Sequence, residues 1–134
     1  MKDFHLERKM MSLLGDFYPT GHLFVMVPTE ADARRAEDLL CGDGQDCTGV
    51  HLLRPNDVLD VLHLFEHRDI ALPSVGFEEH TVRHFAELAG QGHHALLIPA
   101  RNLRACEHVL DVLRGVPVSS AVYYRRFVID ELVA

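Results

Sequence analysis

The chain has 134 residues, 48% of them hydrophobic, with 20 acidic against 13 basic side chains and a formal net charge of −7. That length and apolar content suit one domain with a core and exclude a disordered chain. The acidic balance argues against general nucleic-acid binding, where cations must neutralise phosphates.

No apolar run approaches the ~20 residues of a membrane helix. The opening Met-Lys-Asp-Phe-His-Leu-Glu-Arg-Lys carries no apolar signal core. The expectation is a cytoplasmic protein with no membrane and no nucleic-acid partner.

Residues 1–20 read as a loosely attached segment. Leu6, Met10, Leu13 and Leu14 suit one or two amphipathic turns, stopped by Gly15 and Pro19. The first strand is predicted at 23–27. Thr29, with Asp32 three residues on, caps a helix from 30 to about 41 whose inner stripe is Ala33, Ala36, Leu39 and Leu40. Gly42 and Gly44 end it, and a strand follows at 50–53.

An insert with two helical patterns comes next. Asn56 is the expected cap of a helix burying Val58, Val61, Leu62 and Phe65. Pro73-Ser74-Val75-Gly76 breaks the chain. A helix from about 77 to 89 then turns Val82, Phe85, Ala86 and Ala89 inward. Gly90 and Gly92 release it into a strand at 95–98. A helix over about 102–113, a strand at 119–124 and a short turn at 127–132 complete the chain.

The plan is repeated. Gly-His-Leu-Phe-Val-Met-Val-Pro at 21–28 matches Gly-His-His-Ala-Leu-Leu-Ile-Pro at 92–99, an offset of 71. At an offset of 70, Arg34, Glu37, Leu40, Val58, Asp60 and Leu62 recur as Arg104, Glu107, Leu110, Val128, Asp130 and Leu132. Each copy (21–62 and 92–132) reads as strand, helix, strand, with a helical insert over 56–90. Two βαβ units in a single domain, 1–134, predict an α+β ferredoxin-like sandwich with extra insert helices. Its sheet should be four-stranded and antiparallel, the first and third strands central.

Those two strands are apolar throughout, as when both faces are covered, yet the repeat helices shield only one. The insert helices or a second subunit must cover the other. A two-fold homodimer is expected.

Three cysteines, an odd number, fit a reducing compartment. Cys106 falls on the inner face of its helix. Cys41 and Cys47 bracket Cys-Gly-Asp-Gly-Gln-Asp-Cys, a spacing of neither a redox CxxC nor a zinc knuckle, and a structural or incidental role is expected.

Ten histidines stand out. His63-Leu64-Phe65-Glu66-His67 fits the H-x-x-E-H pattern of one zinc-peptidase class. His80 and His84 share the i, i+4 spacing, with Glu87 on the same stripe and Glu79 beside it. Converging stripes on a helical hairpin could hold Zn, Ni or Cu. They lie opposite the apolar stripes, however, so His63, His67, His80 and His84 are expected on solvated faces. No metal, cofactor or catalytic residue is assigned.

His93 and His94 are expected to cap the sheet end, with His22 the repeat equivalent of His93. Of Tyr123 and Tyr124, one should pack and the other be exposed. The sequence has no GxGxxG, P-loop, nucleophile elbow or CxxC.

The stretch from Val75-Gly76-Phe77-Glu78-Glu79 through Gly90-Gln91-Gly92 to His93-His94-Ala95-Leu96-Leu97-Ile98-Pro99-Ala100 resembles the bacterial general stress protein 17M / YflT-like family of small domains of unknown function. That pattern has a Gly-Ile/Val-Pro start, a Glu-rich helix ending in an aromatic residue and a Gly-Gly before an apolar strand. An Ala- and Glu-rich helix and a second strand follow. Phe24-Val25-Met26-Val27 and the helix after it look like the family's first strand and helix, so the resemblance covers most of 21–132. The chain departs from the pattern at Phe77, where proline is common, and at His93-His94, where small apolar residues are usual.

The resemblance implies a non-enzymatic, stress-associated or regulatory module that self-associates, with no catalytic residues to carry over. Two alternatives stand beside it. One is a small-ligand sensor on the ferredoxin-like plan. The other is a metal-binding protein or metal-dependent enzyme using the histidine-bearing insert helices.

Overall fold

The computed structural model describes residues 1–4, 19–45, 47–66, 79–124 and 129–133, of which 63–66, 79–82 and 129–131 are described in backbone only. The turns expected around Leu6 to Leu14 and the break at Pro73 to Gly76 lie outside the described residues.

The two uninterrupted apolar runs take the middle of a sheet. β2 (His22–Val27) and β4 (His94–Pro99) pair antiparallel, Val25 opposite Leu96. β3 (His51–Leu53) lies beside β4 and β5 (Ser120–Tyr124) beside β2, both antiparallel. The expectation of four strands is corrected to six. β1 (Lys2–Asp3) adds to β3 in parallel and β6 (Ile129–Val133) adds to β5, giving the order β1-β3-β4-β2-β5-β6. The molecule is a mixed α+β domain with helices between its strands.

Alternation along β2 divides the interior in two. Leu23, Val25 and Val27 pack with α1 (Glu30–Gly42) and α4 (Leu103–Val112), against Ala33, Ala36, Leu40, Cys106 and Val109. Phe24 and Met26 point the other way, into a layer with α2 (Pro55–Glu66) and α3 (Glu79–Gly90), formed by Val58, Val61, Leu62, Phe85, Leu88 and Ala89. The insert helices therefore cover the second sheet face within the chain. The apolar surface that called for a homodimer is already buried, because α2 and α3 pack on each other and turn their stripes to the sheet.

Local chemistry sets the helix ends. Thr29 Oγ1 accepts from the Asp32 amide at 3.1 Å, as its position predicts. α2 starts one residue before the expected Asn56 cap. Pro55 takes the first helical position, where its missing N–H costs nothing, and the Asp57 carboxylate accepts from the Arg54 amide at 2.9 Å. Asn102 caps α4 by accepting from the Ala105 amide at 2.8 Å.

α1 and α3 end alike. Gln45 N–H donates to Leu40 O and Gly44 N–H to Cys41 O, while His93 N–H donates to Leu88 O and Gly92 N–H to Ala89 O. This double closure needs a left-handed residue, supplied by Gly44 (φ +83°) and Gly92 (φ +91°).

The repeat is real in the strands and drifts elsewhere. Pairs at the offset of 71 share a sheet face: Phe24 with Ala95, Val25 with Leu96, Met26 with Leu97. In the helices the caps Thr29 and Asn102 define an offset of 73, which superposes buried Ala33, Ala36 and Leu40 on Cys106, Val109 and Leu113. The identities at 70 thus mark non-equivalent positions, and Leu110 is only half-buried where Leu40 is buried.

The C-terminal turn expected at 127–132 is also corrected. Ile129–Val133 is a strand, so Asp130 and Leu132 lie in β6 while their matches Asp60 and Leu62 lie in α2. Free edge hydrogen bonds on β5 offer this segment a ladder that α2's segment lacks.

Candidate functional site

Polar side chains gather at the ends of the sheet and on the loop between α1 and β3. At the first end, where β2 and β3 finish and β4 and β5 begin, His93 Nδ1 and Ser119 Oγ are hydrogen-bonded at 2.9 Å. The pair spans the end of β2, which lies between β4 and β5. A serine and histidine at this distance meet the first requirement of a nucleophile and its base. The second, an amide free to stabilise an oxyanion, is not met at Ser119, whose N–H donates to Met26 O at 2.8 Å. The geometry is that of a latch across a strand end.

Beside it, His94 Nδ1 donates to Gly92 O at 3.1 Å. At the opposite end His22 Nδ1 donates to Thr20 O at 3.0 Å. His94, rather than His93, therefore repeats the contact of His22, since each is the first residue of its strand and reaches back two residues. The expectation that these histidines cap the sheet ends holds in substance, with that change of equivalence.

Arg54 joins three elements, donating to Asp3 at 2.8 Å and to Glu30 at 3.2 Å. These side chains are exposed, so the cluster contributes little energy.

The loop after α1 brings Cys41 and Cys47 together in a disulfide, Cα atoms 5.6 Å apart. Within it Asp43 accepts from Gln45 Nε2 at 3.0 Å and from His108 Nε2 on α4 at 2.7 Å. The Gln45 amide and then His108 hold the Asp43 carboxyl below its ordinary pKa. Spacing predicted none of this: Cys-x5-Cys matches no redox or metal signature, and Asp43 and His108 meet only in three dimensions.

The insert histidines fall only partly within the described residues. His63 lies in α2 and His80 in α3 by backbone, while His67 lies outside the described residues. His84 does not sit on a solvated face. It is half-buried beside Phe85, ring centroids 6.4 Å apart, and its Nε2 is sealed from solvent without a hydrogen-bond partner. One position before Phe85 and one turn before Leu88, it lies at the margin of the buried arc rather than opposite it.

Among the described residues no group of three or more His, Cys, Asp or Glu side chains is placed to hold a metal ion. Nor is any helix among them long and apolar enough to cross a membrane. Tyr123 and Tyr124 are both buried, against the expectation of one exposed ring, because β5 is covered on both faces. Tyr123 Oη donates to Ala100 O at 2.9 Å.

No protein-family model matches the chain, and neither does any curated protein or solved structure.

Proposed function

We propose that this chain is a non-enzymatic, cytoplasmic regulatory module on the ferredoxin-like plan, stress-associated as its resemblance to the general stress protein 17M / YflT-like family implies. The order β5-β2-β4-β3, with α1 and α4 sharing one face, supports that plan, to which β1, β6 and the α2–α3 hairpin are additions.

The observation that carries the non-enzymatic reading is the use made of the imidazoles. His22, His93, His94 and His108 each spend a ring nitrogen on a contact that closes a strand end or ties a loop to a helix. They are dispersed over the fold and serve its construction. Protein purified without an affinity tag should hold well under one equivalent of zinc, nickel or copper by elemental analysis. About one tightly held ion per chain, lost in His80→Ala, would establish the metal-dependent reading instead.

A second reading, a small-ligand sensor, rests on His84. A sealed ring nitrogen without a partner costs about 1–3 kcal/mol, which a bound polar molecule would recover. A ligand acting there should raise the thermal midpoint of the wild type and leave His84→Leu unmoved. Equal shifts in both proteins would place the ligand elsewhere.

A further inference from the structure

We infer that Cys41 and Cys47 form a thiol–disulfide exchange site, a reversible clasp on the C-terminal end of α1. Its oxidant is a low-molecular-weight disulfide of the glutathione type and its reductant the corresponding thiol. The inference is independent of the regulatory reading above.

Backbone geometry prepares the pair. The closure at Gly44, with Gln45 N–H on Leu40 O, folds the chain back on α1 through backbone hydrogen bonds. The two Cα atoms lie 5.6 Å apart, inside the range of about 4.4–6.8 Å that a disulfide requires. Dithiol and disulfide forms can therefore share nearly one backbone.

Access differs among the three cysteines. Cys41 is exposed and Cys47 half-buried, whereas Cys106 is fully enclosed on α4 and out of reach of a reagent.

The environment also assigns the order of events. Cys41 lies in the last turn of α1, at the negative end of the helix dipole, with exposed Asp38 one turn before it and Asp43 just after. Asp46 is Cys47's own neighbour in sequence, so access rather than charge sets the order: the exposed Cys41 Sγ is the sulfur an incoming thiolate reaches, and Cys47 leaves.

In reduction, a thiolate attacks Cys41 Sγ and expels the Cys47 thiolate, which takes a proton from solvent. A mixed disulfide remains on Cys41. A second thiolate attacks its outer sulfur and releases Cys41, which is protonated in turn. The protein disulfide gains two electrons and two protons. Two thiols lose them and leave as one disulfide. Oxidation retraces these steps.

Three features sense the bond. Cys47 opens the short 3-10 turn Cys47–Gly49, whose carbonyl accepts from Val50 N–H at the threshold of β3. Gln45 N–H closes α1. Asp43, inside the ring, holds His108 on α4. Opening a seven-residue ring should lower the folding equilibrium constant on the order of fifty-fold.

The test equilibrates the 134-residue wild-type chain in glutathione buffers from oxidised to reduced. Quenching, alkylation and peptide mass spectrometry follow, with amide exchange read in parallel. The expected result is that Cys41 and Cys47 change together in one reversible two-electron transition while Cys106 stays unlabelled. Exchange at Gln45 and Val50 should be about tenfold faster in the reduced form. Cys41→Ser and Cys47→Ser should each show the faster exchange at every buffer ratio. A pair that stays oxidised, or stays reduced, across the whole series overturns the inference. So does identical exchange in the two forms.

Discussion

Asp43 is an exposed carboxylate that receives two donors, Gln45 and His108, and both favour its ionised form. Its folded pKa is lowered, so its contribution to stability is present above the unfolded value of about 3.9 and is lost as pH falls through the folded one. Acid unfolding should therefore be shallower in Asp43→Asn below about pH 4. Urea midpoints measured across that range decide it. An unchanged acid limb would mean that the contact with His108 does not persist in solution. At the same scale, Cys106 shows how little a residue type reveals by itself. It is fully buried on α4 as its helical position predicts, while the pair expected to be structural or incidental is the one that bonds.

The helix ends separate two glycines that look alike in sequence. Gly90 is the last residue of α3 and Gly92 the left-handed residue beyond it, and an added methyl would meet open space at either. Backbone conformation alone sets the outcome. Gly90→Ala should stabilise by about 0.5–1 kcal/mol, while Gly92→Ala should destabilise by about 1–2 kcal/mol. Chemical denaturation of the two variants tests the opposite signs, and matching signs would contradict the φ at Gly92.

Elements were legible where pattern and cap agree. Thr29 with the Ala33, Ala36, Leu40 stripe located α1 to within a residue, and apolar runs located β2 and β4. β6 was misread because Ile129-Asp130-Glu131-Leu132-Val133 carries no strong period, and only the free edge of β5 decides its conformation. The loop contacts of Asp43 were invisible for a different reason. They join residues 65 apart along the chain, and no local periodicity encodes such a meeting.

For the molecule as a whole, the α2–α3 hairpin decides between monomer and assembly. Phe85 is buried on the sheet with its ring centroid 5.1 Å from that of Phe24. β6, the outermost strand in the described order, carries Asp130 and Glu131, and charges on an edge discourage strand addition. Light scattering at micromolar concentration should therefore return a mass near 15.1 kDa. Phe85→Ala should cost about 3–5 kcal/mol and loosen the hairpin, so that the variant binds an apolar dye and self-associates. A wild-type dimer would restore a partner interface, and a Phe85→Ala protein that stays monomeric and dye-free would deny the hairpin its covering role.

The position of β2 also constrains how the protein can be made. Its neighbours are β4 and β5, so Val25 waits for Leu96 on one side and Ala121 on the other. β3, the next strand to be synthesised, does not pair with it. Of the three described strands in the first half of the chain, β1 pairs with β3 and β2 pairs with neither. Leu23 to Val27 is thus synthesised well before either of its ladder partners, which lie at 94–99 and 120–124. The central ladder therefore cannot form until residues 94–124 have been made, and its formation is a late event in the synthesis of this domain.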